Sequence, residues 1–543
     1  MLNPMNISAP WPRRRLLKAG LAFGAGAFLP RLEFARGAEA PARGGQLVVA
    51  IFPEPPYLTS ALSTLGPAQV VSGKIFDGLL TYAPDLTPRP QLAESWQVGA
   101  DGLSVRFALR PGVTWHDGTP FTSADVAYSL LTIWKQLHSR GRSTFANVEA
   151  VESPDPLTSI WRLSKPAPYL LSALAAVESQ IVPKHLYDGT DPLTNPHNLA
   201  PVGTGPFRFA GWERGNYIVL ERNPTYWDQP KPYLDRIVFR VLPDAAERAN
   251  ALETGEVQLL MSSGVQLSDL ARFGAAKELA VERGGYAYTA GITSFEFNLD
   301  RPVFQDVRVR HAFAHAIDRD FILKNVFYGY GAIATGPIPP SLTQFYTADV
   351  PLYRFDLAKA AALLDEAGLK PDAQGTRLTV NFDPAPIGDS LQRAAEAIRD
   401  TLGRVGVKLQ LRTQDFAGFV RRIYTDRAFD TILYSANAAP DPAISSQRFY
   451  WSKNFQPGVA FSNGSHYASA EADHLLETAQ AESDPKERRA LYVRFQQLVQ
   501  TDLPTIPLIA PEGVSVADRR ARDYSVTADG AYGNFAEAYL VPK

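Results

Sequence analysis

The chain contains no cysteine. That excludes disulfides, thiolate metal sites, a cysteine nucleophile and lipid attachment through an N-terminal cysteine. It also has no uninterrupted apolar run near the roughly 20 residues that a membrane-spanning helix needs. A formal charge of −2 leaves no basic footprint of the kind nucleic-acid binders carry. Histidine occurs only eight times. The single pair at metal-ligand spacing, His311 and His315, has Ala312 where the H-E-x-x-H zinc hydrolases need glutamate. There is no G-x-S-x-G elbow. The stretch VGTGPF (202–207) lacks the Gly-Lys-Ser/Thr of a phosphate loop, and YGYG (328–331) lacks the spacing of a dinucleotide fingerprint. No repeat or low-complexity tract is present. No catalytic residue, metal ligand or cofactor is therefore assigned. A secreted hydrolase using scattered carboxylates survives only as an alternative.

What is present is an ordinary globular composition, 45% apolar and 20% charged, over 543 residues. That length suggests about two to four domains. With 43 Pro and 39 Gly, many loops are expected. The first forty residues stand apart. Arg13, Arg14, Arg15 and Lys18 precede a weakly apolar run from Ala19 to Leu29, and Ala38-Glu39-Ala40 offers a small-x-small cleavage pattern. This reads as a secretory signal peptide over 1–40. The order Arg13-Arg14-x-Leu16-Leu17-Lys18 resembles a twin-arginine export signal. Cleavage would leave a soluble periplasmic protein with 48 basic and 54 acidic side chains.

The mature chain opens with GGQLVVAIF, a buried-strand pattern. Short strands and turns follow over 75–110. Helical spacing marks 309–327, 356–368 (Asp356 as a cap, Gly368 as a stop), 389–406 and 472–504. Between these helices lie the strands RLTVNF, VKLQLRT and FDTILYSA. Such alternation predicts an α/β fold. The stretch TWHDGTPFTSADVAYSLL (114–131) puts His116, Asp117 and Gly118 side by side just ahead of an amphipathic run. Asp117-Gly118 is a turn dipeptide, and Thr122 with Asp125 fits a capping box, so a structural turn before a helix is expected.

These stretches together resemble a known family. IFDGLLTYAPDLTPRPQLAESWQVGADGLSVRFALRPGVTWHDGTPFTSADVAYSL, PVGTGPFRFAGWERGNYIVLERNPTYW, FEFNLDRPVFQDVRVRHAFAHAIDRDFIL and FDLAKAAALLDEAG are similar to the extracytoplasmic solute-binding proteins of ABC importers. Specifically, they match the peptide/nickel/opine-binding family, bacterial extracellular family 5. The resemblance implies a class II periplasmic-binding-protein fold of the large type, two α/β lobes hinged around a ligand cleft. Lobe I would take 41–290, with an extra subdomain at about 58–200, and 511–543; lobe II would take 291–510. The crossings would fall in YAYTAGITSFEF (286–297) and LIAPEGVSV (508–516). It also implies a monomer that captures a solute and delivers it to a membrane permease with a cytoplasmic ATPase.

The chain departs from its relatives where peptide termini are fixed. Ala438 and Ala439 fall where an acidic residue is expected to meet the peptide ammonium, while the Asp-Pro anchor remains at Asp441. No arginine follows LTVNF to hold a carboxylate; the nearest is Arg393. A buried ammonium without a counter-charge is costly. The expected ligand is a peptide or peptide-like solute, end-blocked or held through its backbone. An oligosaccharide or opine stacked on Tyr57, Tyr434 or Trp451, or a metal chelate, are the alternatives. Asn437 is a further candidate contact, because solutes bind at strand ends of open α/β sheets.

Overall fold

The computed structural model describes residues 41–542, apart from Ser63, Ser262, Ser263 and Ala438. The expected signal segment and Ala438 lie outside the described residues. The apolar strand Gln46–Ile51 finds its partners far along the chain, parallel to Arg236–Val241 and Leu259–Leu260. Around it a seven-stranded sheet runs in the order Leu279–Arg283, Val514–Asp518, Leu259–Leu260, Gln46–Ile51, Arg236–Val241, Tyr217–Arg222, Phe207–Glu213. Its C-terminal strand is thus inserted between segments more than two hundred residues earlier in sequence.

A six-stranded sheet is built from the rest, in the order Gly331–Ile333, Thr505–Pro511, Gly291–Phe297, Thr431–Asn437, Leu378–Pro384, Val407–Leu411. Gly291–Phe297 lies in its interior and is buried from Ile292 onward. Both faces are covered, so its polar Thr293, Ser294 and Glu296 are buried along with its apolar residues. Helix Asp389–Gly403 covers part of this sheet with Leu391, Ala394, Ala395, Ile398 and Leu402, a single stripe at helical spacing. Helix Pro485–Asp502 begins with proline in its first turn and with Asp484 accepting the N–H groups of Lys486 and Glu487.

Each sheet has its own apolar core. One joins the seven-stranded sheet to a four-stranded antiparallel sheet (Ala93–Val98, Ser104–Leu109, Thr158–Leu163, Val148–Asp155) through residues such as Phe107, Trp134, Trp161 and Ile237. The other gathers Phe295, Phe313, Ile398, Leu433 and Phe495. The result is a two-lobed α/β fold. The chain passes from the first sheet to the second after Arg283, and back again between Pro511 and Val514.

The long helix expected over 309–327 is broken. Val307–Ala316 stops at Ile317, which is extended, and Asp318 caps a new helical segment by accepting the Phe321 N–H. A second cap thus interrupts an apolar spacing that continues across the break. The 356–368 helix forms as Leu357–Glu366, with Asp356 accepting the Lys359 N–H.

Candidate ligand site between the lobes

The two crossings enclose a cavity of about 480 Å³. That size is within the range of small-solute sites. Tyr286, Pro339, Ser435, Asn437, Gly513 and Tyr532 stand on its wall. Glu512 is the charged residue there, and it pairs with Arg283 at 2.6 Å. The wall is otherwise built of small, apolar and neutral polar groups. Tyr286 is fixed by a 2.6 Å hydrogen bond between its hydroxyl and Ser515.

Strand Thr431–Asn437 reaches this cavity with Ser435 and Asn437, and it is unpaired along part of one side. Its antiparallel partner Gly291–Phe297 runs its full length, whereas its parallel partner Leu378–Pro384 ends opposite Leu433. The Leu433 carbonyl accepts from Ala385 N–H on that second side. Backbone groups alternate along an antiparallel ladder. Ser435 and Asn437 therefore also turn their N–H and C=O groups away from Gly291–Phe297, beyond the end of the parallel partner, and both residues line the cavity.

The other face of the strand is polar and enclosed. Tyr434 is 3% exposed and lines a small cavity of about 30 Å³ with Ser294, Ser445 and Phe449. Its hydroxyl is hydrogen-bonded to Glu296, whose carboxyl burial pushes up to about 8. At neutral pH that acid is protonated. Nearby, the lobes meet. Ala439 and Ile444, which follow the second-sheet strand, are buried in the first lobe's core. The turn Pro168–Ala173 of the first lobe contacts helix Ala470–Ala481 of the second. At this junction Arg140 Nη2 donates to Glu178 Oε2 at 2.5 Å, both from the first lobe, and Arg448 of the second lobe lies within their field. Burial first, and then Arg140, bring the Arg448 guanidinium down to about 10, so it stays charged at neutral pH.

The residues expected at the site are scattered by this geometry. Asn437 is exposed at the strand end and lines both cavities; Tyr434 lines only the smaller one. Asp441 is 2% exposed and its carboxylate forms a two-point pair with Arg488 at 2.6 and 2.8 Å, while Oδ1 also accepts the Ala443 N–H. Trp451 is half-buried against the second core and donates its indole N–H to Glu477. Tyr57 is half-buried beside Pro55 and Pro56, whose carbonyls take the Arg214 guanidinium. Neither Trp451 nor Tyr57 lines either cavity. Arg393 donates to the Tyr328 hydroxyl, away from both. Arg140, Glu178 and Arg448 were not singled out from the sequence; Arg448 sits in the aromatic stretch QRFYWSKNF, the one hint available.

The histidines have backbone tasks. His116 Nδ1 accepts from Gly203 N–H and Nε2 donates to the Gly205 carbonyl, tying the turn to the VGTGPF loop. Burial lowers its pKa to about 4, which keeps the ring neutral. Gly203 lies so close to Ile75 that a Cβ would stand 1.9 Å from the Ile75 carbonyl oxygen. Asp125 accepts the Thr122 N–H at 2.9 Å at the start of the helix that follows. His311 and His315 bond the carbonyls of Thr501 and Arg354.

Two α/β lobes, crossed twice by the chain, with a solute-sized cavity at the crossings, define a hinged solute-binding protein. The chain belongs to the bacterial extracellular solute-binding proteins, family 5: the profile described as "Bacterial extracellular solute-binding proteins, family 5 Middle" matches residues 87–492. It is 27% identical to the glutathione-binding protein GsiB of Salmonella typhimurium over 488 residues, 87% of this chain and 90% of that one. The oligopeptide-binding protein AppA of Bacillus subtilis, solved with a nonapeptide, superposes with a TM-score of 0.80 at 25% identity, over 93% of this chain and all of AppA. DppA of Helicobacter pylori, solved with the peptide STSA, gives 0.79 at 26% identity, over 92% of this chain and 98% of that one.

Proposed function

We propose that this protein is the extracytoplasmic binding component of an ABC importer for a peptide or peptide-like solute, held between its lobes and handed to a membrane permease. The observation that carries the reading is that Thr431–Asn437 is unpaired on one side beyond Leu433 and that its Ser435 and Asn437 line the cavity at the crossings. Such an edge recognises an extended backbone without reference to side chains. The peptide-binding relatives AppA and DppA, and GsiB with its glutathione, support the same solute class.

In this reading lobe I takes 41–290 and 511–543, with its extra subdomain at about 58–200, and lobe II takes 291–510. Sheet membership on either side of the crossings supports that division. A solute touching both lobes favours the closed arrangement by its differential affinity for it. The protein binds without turning its solute over, as a monomer. Its N-terminal segment directs it to the periplasm by the twin-arginine route; no helix among the described residues is long and apolar enough to cross a membrane.

The test is a thermal-shift series with tri- and tetrapeptides, glutathione and neutral oligosaccharides. Ligand at a hundred times its dissociation constant adds about 2.7 kcal/mol of stability. A shift with peptides or glutathione is expected. A response to oligosaccharides alone would replace the peptide reading with a sugar one.

A further inference from the structure

We propose that Arg140, Glu178 and Arg448 form an anion-binding subsite between the lobes, which takes a carboxylate of the bound solute. The proposal rests on the reading that a peptide-like solute is held there, and it names the charge that solute carries.

The argument begins with charge. Arg140 and Glu178 neutralise one another through their 2.5 Å contact, and Arg448 adds a second guanidinium from the other lobe. The remaining groups that act on Arg448, Tyr424 and Tyr434, are phenols held neutral by burial. Glu296, behind Tyr434, is protonated at neutral pH for the same reason. The cluster thus holds one positive charge in excess. No carboxylate among the described residues forms an ion pair with Arg448, although other arginines have such partners, as in the buried Arg488–Asp441 pair. Other guanidiniums of this chain that lack a carboxylate, those of Arg248, Arg310 and Arg319, are met by backbone carbonyls. Arg448, half-buried with the Phe449 ring 4.5 Å away, donates to no group among the described residues, and such a charge is costly to leave unmet.

Hydrogen-bonding capacity points the same way. Arg140 Nε and Arg448 Nε are buried donors without a partner, and Glu178 Oε1 is a buried acceptor without one; Glu178 is 3% exposed. Two unused donors beside a net positive charge suit one carboxylate better than a cation or a neutral group, because planar guanidinium and carboxylate groups match in geometry. The position also answers the departure seen in the sequence. No arginine follows LTVNF closely, and the nearest, Arg393, turns to Tyr328. Here the carboxylate partner comes from both lobes at once, so binding it bridges them. Glu178 positions Arg140, and its free oxygen is available to an N–H of the same solute.

The experiment compares the purified protein with R448Q and R448K, each first shown by circular dichroism and by its melting point in chloride to be folded. Two readouts are taken. In the first, sodium acetate replaces sodium chloride at constant ionic strength. The wild type is expected to gain melting temperature and R448Q is not, with R448K intermediate. In the second, trialanine and trialanine amide are titrated. The acid form is expected to bind the wild type at least roughly tenfold more tightly than the amide, and the two to bind R448Q alike, the non-additivity that marks a direct partnership. An acetate response unchanged in R448Q, or equal binding of acid and amide to the wild type, overturns the subsite. If neither peptide binds while the acetate response still requires Arg448, the subsite stands and the peptide reading falls.

Discussion

Replacing Asp441 by alanine removes one half of a buried two-point ion pair and leaves Arg488 in place. The Arg488 guanidinium is 7% exposed and the Asp441 side chain 2%. Besides its two contacts to Asp441 at 2.6 and 2.8 Å, Arg488 donates Nε to the Ala479 carbonyl at 2.8 Å, so its charge is held in the interior by several bonds and cannot swing out. Breaking a buried pair from one side costs about 3–5 kcal/mol. For a cooperative unit of lobe size each kcal/mol is worth roughly 2–4 °C, which places the loss at about 6–20 °C. Differential scanning calorimetry of Asp441→Ala measures this directly. The double variant Asp441→Leu with Arg488→Met, which removes both charges and keeps apolar volume, recovers most of the loss, because the penalty lies in the orphaned cation. A single variant melting within about 2 °C of wild type refutes the reasoning. So does a double variant no better than the single. Should Asp441→Ala keep its stability and lose solute affinity, Asp441 is a solute contact and not a strut.

Other outcomes follow from the same geometry. Glu296 is an acid raised from about 4.5 to about 8 by burial, so the folded state holds its proton while the unfolded chain has released it. Its contribution to stability is present in full below about pH 4.5 and is lost as pH rises through about 8. Glu296→Gln, which mimics the protonated form, is expected to match wild type in urea unfolding at pH 5 and to exceed it at pH 8; equal stability at both values would show an ordinary ionised carboxylate. Gly203→Ala would put a methyl 1.9 Å from the Ile75 carbonyl oxygen, where only backbone can yield. A loss of soluble yield, or of several degrees in melting temperature, is expected, and an unchanged melting curve would show that the loop moves aside freely. His116→Ala removes the two bonds that tie the turn to 203–205 and is expected to lower stability by about 1–3 kcal/mol without affecting solute binding.

The scaffold was readable in sequence wherever a local rule governs the chain. Asp117-Gly118 declares its turn, with Gly118 at φ 91°, and Asp356 declares its helix start. The break at Ile317 was not readable, because Phe313, Ile317 and Ile322 keep an apolar spacing on both sides and only Asp318 marks the new start. Asn437 was singled out by its place at a strand end, and it lines both cavities. Asp441 illustrates the opposite case. An acid after a strand looks the same whether it faces a solute or an arginine, and Arg488 lies 47 positions away in sequence. Arg140, Glu178 and Arg448 come from three separate segments, and no spacing connects them before the lobes are assembled.

The burial of Ala439 and Ile444 in the opposite lobe's core has a bearing on affinity at a distance. These side chains act as an adhesive whose strength sets how often the empty hinge rests shut. Apparent affinity scales with the fraction of molecules already competent to bind. A change of one methyl group at Ile444 would therefore retune the uptake threshold of the importer while every atom that touches the solute stays the same. Affinity can thus be set by apolar contact between the lobes while the chemistry of recognition stays as it is.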